Sequence, residues 1–221
     1  MMPQHGLWTM AAAAFFLLSA FDAGSARADA LSMNALREVL NVRPQGDAQV
    51  GAALFAATGC AGCHGEAGIS ANPEWPILAG QRSPYLYKML LDYRAGRMQG
   101  QGAGMMAAVT ANLNEQQISD LAEWLSRQTR PMLIRHTGRE PAVLKGDRSR
   151  LIPPCEACHG ANGQGWDLQP TLAGQHRAYL VSVLNRFKSG ERNNDINAGM
   201  AQIARKLNEQ EISALADYYG K

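Results

Sequence analysis

A five-residue motif occurs twice in this chain and uses all 4 of its cysteines. The motif is Cys-x-x-Cys-His, at residues 60–64 and again at residues 155–159. Two thiols on one helical turn can each add to a vinyl group of a porphyrin, and the next side chain is then carried under the iron. This order is the attachment signature of c-type haem. The motifs predict two covalently bound haem c groups, with the thioether bonds and proximal iron ligands supplied by Cys60, Cys63, His64, Cys155, Cys158 and His159.

Three other uses of these cysteines fit the sequence less well. A thioredoxin-like redox pair needs a βαβ frame, which nothing around the motifs suggests, and would leave the histidines without a role. Two halves of a zinc site would stand much closer together than these motifs do. Two structural disulfides would use the cysteines but would not need the histidines. Haem attachment accounts for every residue of the motif.

The similarity between the two halves continues beyond the motif. Pro-Ile-Leu-Ala-Gly-Gln at residues 76–81 recurs as Pro-Thr-Leu-Ala-Gly-Gln at 170–175, and Leu-Asn-Glu-Gln at 113–116 recurs at 207–210. The offset between the copies is constant from the proline onward. The chain is therefore a tandem duplication, with one haem in each half.

Apolar spacing predicts that each half is helical. Helices are expected over residues 50–57, 83–95 and 177–189, and a final helix in each half opens at an asparagine cap, Asn114 or Asn208. No stretch alternates with period two for long enough to predict a strand. The fold class is all-α, with two tandem helical domains. Domains of this size have marginal cores, so we expect the haem to complete each core and the chain without haem to be poorly folded.

The chain divides into five segments. Residues 1–28 resemble a secretory signal peptide, because an apolar run is followed by the small-residue pattern Ala26-Arg27-Ala28; an uncleaved anchor is the alternative. Residues 29–45 form an N-terminal extension with a short amphipathic helix. The first domain is predicted at 46–128, a linker at 129–139 and the second domain at 140–221. We expect the arginines of the linker to lie on a solvated connector, the alternative being pairing with haem propionates.

The charge excludes one class of partner. The formal net charge is +2, and the propionates of two haems would bring the loaded protein close to neutral. Nucleic-acid binding is therefore not expected. Export of the chain fits its cysteines, because covalent haem attachment in bacteria takes place outside the cytoplasmic membrane.

The sixth iron ligand is predicted to be methionine. Met200 is the one methionine after the second motif, and it lies on a segment rich in Gly and Asn that predicts a loop. In the first half, Met106 precedes Leu113 by the spacing that separates Met200 from Leu207, so Met106 is favoured over the adjacent Met105. His176 aligns with an arginine in the other half and is expected to lie on the surface.

His/Met ligation predicts an electron carrier rather than an enzyme. The thioether favours reduced iron, and six-coordinate irons are closed to exogenous ligands. Two alternatives stay open: the cytochrome subunit of a periplasmic dehydrogenase, and a di-haem peroxidase, which would need one iron with a displaceable ligand.

These motifs together resemble the di-haem cytochrome c4 family. The resemblance rests on the two Cys-x-x-Cys-His motifs, the Pro-x-Leu-Ala-Gly-Gln segments and the methionines followed by Leu-Asn-Glu-Gln. It implies two cytochrome c-like domains related by pseudo-twofold symmetry, in a periplasmic, often membrane-associated carrier. It also implies that the carbonyls of Pro76 and Pro170 accept hydrogen bonds from His64 and His159. The implied donor is a quinol–cytochrome c reductase or a dehydrogenase, and the implied acceptor is a terminal oxidase.

Overall fold

The computed structural model describes residues 32–100, 102–131 and 140–221. The predicted signal peptide and most of the predicted linker lie outside the described residues. The described part contains the helices α1 Met33–Asn41, α2 Ala48–Ala57, α3 Cys60–His64, α4 Ser83–Arg94, α5 Ala103–Thr110, α6 Glu115–Ser126, α7 Glu156–His159, α8 Arg177–Ser189, α9 Gly199–Ala204 and α10 Glu209–Tyr219. Among these helices, none combines the length and apolar character needed to cross a membrane. Isolated bridges are the only β pairing in this part of the chain, which confirms the all-α prediction.

The final helix of each repeat begins at the predicted cap. The Asn114 side chain accepts a hydrogen bond from the Gln117 N–H while the Gln117 side chain accepts one from the Asn114 N–H, and Asn208 forms the same reciprocal pair with Glu211. These capping boxes satisfy backbone donors that a helix start otherwise leaves unpaired. The apolar stripe of each helix then faces its core, as predicted.

Each repeat builds its own hydrophobic core around that helix. In the first repeat, α6 packs on α2 and α4, and the buried side chains include Phe55, Leu86, Leu91, Ile118, Leu121 and Leu125. In the second repeat, α10 packs on α8, and the core includes Val143, Leu180, Leu207, Ile212, Leu215 and Tyr219. The repeat periodicity in the sequence thus corresponds to two separate cores.

The N-terminal extension belongs to the first domain. Leu36 on α1 is fully buried, and Val39 and Leu40 pack against the first core. The Arg43 guanidinium that follows α1 donates to the side-chain hydroxyls of Ser119 on α6, at 3.0 Å, and Ser83 on α4, at 2.7 Å. The predicted amphipathic helix therefore covers one side of the domain.

The second repeat has no helix in the place of α2. A 3-10 turn covers Ala142–Lys145, and the chain then makes an antiparallel bridge between Asp147 and Ile152 before reaching the second motif. This segment is shorter than the corresponding part of the first repeat and contains Pro153 and Pro154, which disfavour a helix. The two repeats therefore share the haem motif and the last three helices.

The two domains meet through buried polar contacts. Helix α4 was expected to bury one apolar face, but Lys88 and Asp92 on that helix are also buried, at 3% and 0% exposure. Lys88 donates to the carbonyl oxygen of Asn194 in the second repeat. The apolar pattern missed this second buried face because it is created by contact with the other domain.

The expectation of a solvated linker is wrong for Arg130. Its guanidinium donates to the carbonyl oxygens of Ala79, at 2.8 Å, and Ala173, at 2.5 Å. These carbonyls belong to the Leu-Ala-Gly turns of the two repeats, so Arg130 joins both turns. Burial lowers the pKa of Arg130 to about 10, because the charged form loses its water.

Candidate haem sites

The first motif forms a single helical turn. Helix α3 contains Cys60, Cys63 and His64 within five residues, which brings two thiols and an imidazole to one short segment. The Cys60 sulfur lies 3.1 Å from the Thr58 hydroxyl. His64 is largely buried, at 8% exposure. The turn is therefore compatible with attachment to one edge of a porphyrin and with an imidazole beneath its iron.

The second motif repeats this arrangement. Cys155 caps α7, which contains Cys158 and His159, and His159 is 7% exposed. All four cysteines are free thiols. Burial raises the pKa of Cys155, because the thiolate would lose its water.

Both imidazoles are oriented by a backbone carbonyl. The His64 Nδ1 lies 3.1 Å from the carbonyl oxygen of Pro76, and the His159 Nδ1 lies 3.1 Å from that of Pro170. A carbonyl can only accept, so Nδ1 carries the proton and Nε2 keeps a free lone pair for a metal. Burial lowers the pKa of both histidines, which favours the neutral ring that an iron needs.

The second motif opens onto an apolar cavity that also contains the predicted methionine. The cavity has a volume of about 330 Å³, and Cys155, Cys158, His159 and Met200 all line it. Apolar side chains from α8, α9 and α10 complete the wall: Leu180, Val183, Leu184, Phe187, Ile203 and Leu215. The structure therefore brings thiols, imidazole and thioether together around one hydrophobic space.

The same cavity extends to the first repeat. Tyr85, Met89 and Tyr93 of α4 contribute to its wall. Met89 and Met98 pack with Ala103 in a small apolar cluster that includes these tyrosines, so both methionines serve packing. The space around the second motif is thus bounded by both domains.

The two ligand candidates of the first repeat differ in exposure. Met105 and Met106 both lie on α5. Met105 is 59% exposed, whereas Met106 is less exposed, being half-buried. Helix α5 packs on α4. A side chain that points largely into solvent cannot enter an apolar core, so the difference favours Met106 as the inward-facing residue.

The expectation of a methionine on a loop is wrong for Met200. Met200 is the second residue of α9, a short helix that follows a 3-10 turn at Ile196–Ala198. The Gly/Asn-rich composition applies to the turn before it, whereas the Met-Ala-Gln-Ile-Ala sequence favours a helix. The corresponding residue Met106 is also helical, on α5.

The surface position expected for His176 is also wrong. His176 is 7% exposed, and its Nε2 lies 2.9 Å from the carbonyl oxygen of Ser70 in the other repeat. Comparison with the arginine at the same repeat position gave no signal for this contact, because it depends on how the domains meet. Glutamines 81 and 175 were also missed as interface residues, although both repeats carry them in the Pro-x-Leu-Ala-Gly-Gln segment.

The donor set fits haem c and no common metal site. Among the described residues, no group of three or more His, Cys, Asp or Glu side chains is arranged to hold a metal ion. Each motif instead offers one imidazole with paired thiols, and the second motif lies in an apolar space suited to a flat hydrophobic body. A porphyrin iron needs only one ligand from each side, which these residues can supply.

Comparisons with known proteins agree with this chemistry. The family model described as Cytochrome c matches residues 48–129 and 152–219. A cytochrome c4 from Stutzerimonas stutzeri is 35% identical over 78% of this chain and 88% of its own length. A thiosulfate dehydrogenase electron acceptor from Stutzerimonas stutzeri strain A1501 is 35% identical over 76% of this chain and 81% of its own length.

A solved structure gives the same result. The crystal structure of reduced recombinant cytochrome c4 from Pseudomonas stutzeri matches with a TM-score of 0.70 and 35% identity, over 79% of this chain and 97% of that chain. The likeness covers both repeats rather than one. The chain therefore belongs to the cytochrome c4 family, whose members are haem-binding cytochromes c of electron transport.

Proposed function

We propose that this protein is a periplasmic electron carrier with two covalently bound haem c groups. His64 and Met106 would hold the iron in the first domain, and His159 and Met200 would hold it in the second. The observation that carries the proposal is the apolar cavity that Cys155, Cys158, His159 and Met200 line together. The matched positions of Met106 and Met200 in the two repeats extend the same ligand set to the first domain.

The residues of the chain have separate tasks in this function. Bound haem c, with its iron held by an imidazole and a thioether, would supply one-electron exchange with little rearrangement. The cysteines fix the porphyrin, and the carbonyls of Pro76 and Pro170 hold each imidazole in the tautomer that binds iron. Apolar walls exclude water. The cavity of the second domain reaches α4 of the first, which supports electron exchange between the two haems.

The ligand assignment can be tested one methionine at a time. The oxidised holoprotein should show the weak sulfur-to-iron absorption band with intensity for two irons. The variants Met106→Ala and Met200→Ala should each lose about half of that intensity, because one thioether ligand is removed. Mass spectrometry of the same samples should find two haems per chain.

Met105→Ala is the matched control, since it removes the adjacent, exposed thioether. It should keep the full band. Loss of the band in Met105→Ala would assign Met105 as the ligand instead. High-spin features in the untreated holoprotein would favour a peroxidase and contradict the carrier.

A second candidate function is that of an electron-accepting subunit of a dehydrogenase. The resemblance to a thiosulfate dehydrogenase electron acceptor favours it. The haem chemistry would be the same, but a dedicated partner would reduce the protein. Co-elution with a second chain during purification from the native host would support this function. Reduction by a quinol–cytochrome c reductase and oxidation by a terminal oxidase, without a bound partner, would support the freely diffusing carrier.

The proposed location rests on residues 1–28. Their apolar run and small-residue pattern are typical of a cleaved secretory signal. N-terminal sequencing of the mature protein should begin at Asp29. A chain that keeps Met1 and fractionates with membranes would indicate a retained anchor.

A further inference from the structure

The glutamine that ends each Pro-x-Leu-Ala-Gly-Gln segment makes a contact that haem attachment does not explain. Both side chains are buried: Gln81 is 5% exposed and Gln175 is 4% exposed. Each glutamine reaches across the domain boundary and binds the backbone of the other repeat. The two contacts are reciprocal, as the pseudo-twofold relation between the domains requires.

In each contact, one side-chain amide pairs with both polar groups of one backbone residue. The Ile77 N–H donates to Gln175 Oε1 at 2.8 Å, and Gln175 Nε2 donates to the Ile77 carbonyl oxygen at 3.0 Å. The Thr171 N–H donates to Gln81 Oε1 at 2.7 Å, and Gln81 Nε2 donates to the Thr171 carbonyl oxygen at 3.0 Å. The geometry is therefore the same in both directions.

A neighbouring donor fixes which end of each amide is the oxygen. Gln81 Oε1 also accepts from the Arg82 N–H at 2.9 Å, and Gln175 Oε1 accepts from the His176 N–H at 3.0 Å. Two N–H groups thus converge on a single side-chain atom in each glutamine. Only an acceptor satisfies both, so the oxygen occupies that position.

Each glutamine binds the N–H of a peptide group whose carbonyl oxygen accepts a hydrogen bond from a proposed iron ligand. The Ile77 N–H and the Pro76 carbonyl belong to the same peptide group, and that carbonyl accepts from the His64 ring. In the other domain, the Thr171 N–H shares its peptide group with the Pro170 carbonyl, which accepts from the His159 ring. A continuous hydrogen-bonded chain therefore runs from each glutamine to the imidazole of the opposite domain.

Hydrogen bonds at the two ends of one peptide group strengthen each other. An acceptor on the N–H makes the carbonyl oxygen more negative, and this oxygen then holds the imidazole proton more strongly. Ile77 is 1% exposed and His64 is 8% exposed, so water is largely kept from substituting for the glutamine. The imidazole consequently becomes a more basic ligand, which stabilises ferric iron.

We propose that Gln81 and Gln175 are positioning residues that set the two reduction potentials crosswise. Gln175 of the second domain lowers the potential of the haem bound by His64, and Gln81 of the first domain lowers that of the haem bound by His159. The inference rests on the proposed ligation by these two histidines. It gives the interface a redox role in addition to holding the domains together.

The test uses Gln175→Met and Gln81→Met in the full-length holoprotein. Methionine has a similar length and volume but offers no comparable acceptor. Each haem is followed separately, by its methyl proton resonances during a redox titration. Gln175→Met should raise the reduced-to-oxidised ratio of the His64 haem at a fixed potential by about twofold or more and leave the other haem unchanged. Gln81→Met should do the reverse.

His176→Leu is the matched control. It removes a buried contact between the domains, the hydrogen bond from the His176 ring to the Ser70 carbonyl. It leaves the Pro76–Ile77 and Pro170–Thr171 peptide groups and their hydrogen bonds unchanged. This variant should leave the reduction potentials of both haems unchanged. Equal shifts of both haems in every variant, a shift of the haem in the mutated domain, or no shift would each overturn the crosswise assignment.

A second pair of variants keeps the test decisive if the methionine variants fail to fold. Gln175→Asn and Gln81→Asn keep an amide but withdraw it by one methylene, and they should give the same crossed pattern. The sulfur-to-iron band is recorded on every sample. A full band with uncrossed potentials would reject the role of the glutamines and leave the carrier intact, whereas a band absent from the unmodified protein would reject the ligand set itself.

Discussion

The ammonium group of Lys88 lies 2.6 Å from the carbonyl oxygen of Asn194, which belongs to the other repeat. Lys88 also forms an ion pair with Asp92, and the two side chains are 4% and 1% exposed. Asp92 accepts further hydrogen bonds from Asn194 Nδ2 and Arg97 Nε, each at 2.7 Å. One buried carboxylate thus neutralises two cations and binds the second domain.

Removing this carboxylate charge should destabilise the protein strongly. Asp92→Asn leaves Lys88 and Arg97 without their counter-ion in a buried site, and the free energy of unfolding should fall by about 3–5 kcal/mol. Guanidinium unfolding of the holoprotein measures this. Asp217→Asn is the matched control, because Asp217 is 58% exposed in its pair with Arg177, and it should change stability by at most about 1 kcal/mol. Equal effects of the two variants would contradict the role assigned to burial.

The second repeat should contain a carboxylate that titrates at unusually low pH. The hydroxyl of Ser149 and the guanidinium of Arg150 donate to Asp147 and lower its pKa to about 2. Because the pKa is lower in the folded state, the interaction stabilises the protein above about pH 4 and is lost as the pH falls toward 2. Carboxyl-carbon NMR of Asp147 measures the titration.

Variants of the two donors separate their contributions to this pKa. Ser149→Ala and Arg150→Gln should each raise the pKa of Asp147 toward its ordinary value, because each removes a hydrogen bond to the charged form. Neither variant should restore it fully, since the other donor remains. An unchanged titration in both variants would show that these hydrogen bonds do not hold the carboxylate charged.

The Leu-Ala-Gly turn of the second repeat should tolerate no side chain at its glycine. Gly174 has φ +69°, and a Cβ there would lie 2.3 Å from the carbonyl oxygen of Pro131. Gly190 has φ +80° but nothing within 4 Å of an added Cβ. Gly190→Ala should lower the free energy of unfolding by about 1–2 kcal/mol, because alanine is strained in the left-handed conformation but meets no neighbouring atom there. Gly174→Ala should cost clearly more, as thermal unfolding would measure, and equal costs would argue against the close approach.

Removing one haem should destabilise the domain that binds it and leave the other domain folded. Cys155→Ala/Cys158→Ala removes the attachment points in the second repeat and leaves its cavity of about 330 Å³ unfilled. Amide hydrogen exchange should then accelerate in α8 and α10 while α6 stays protected, because each repeat has its own core. Cys60→Ala/Cys63→Ala should give the opposite pattern. Full protection of both domains in the absence of haem would contradict the view that haem completes each core.

Local patterns in the sequence were sufficient for the attachment motifs and for the longer helices, but not for the short helices α5 and α9. Asn114 and Asn208 start their helices because a short polar side chain followed by Gln or Glu can satisfy the first backbone donors without help from the rest of the chain. Helix α8 has the predicted bounds, Arg177–Ser189, since apolar spacing and the following glycine are local signals. The duplication itself was visible as sequence motifs that recur in the same order in both halves.

Only the tertiary structure decided what lies between the two repeats. A sequence pattern assigns polar residues such as Lys88, Asp92 and His176 to solvent, yet all three are buried, because partners from the other repeat meet them there. Arg130, which lies between the repeats, is half-buried because it binds carbonyl oxygens of both. The sequence showed that Gln81 and Gln175 recur, but not that each binds the backbone beside the other domain's histidine. Contacts between distant segments depend on how two finished domains dock, and no local periodicity encodes that geometry.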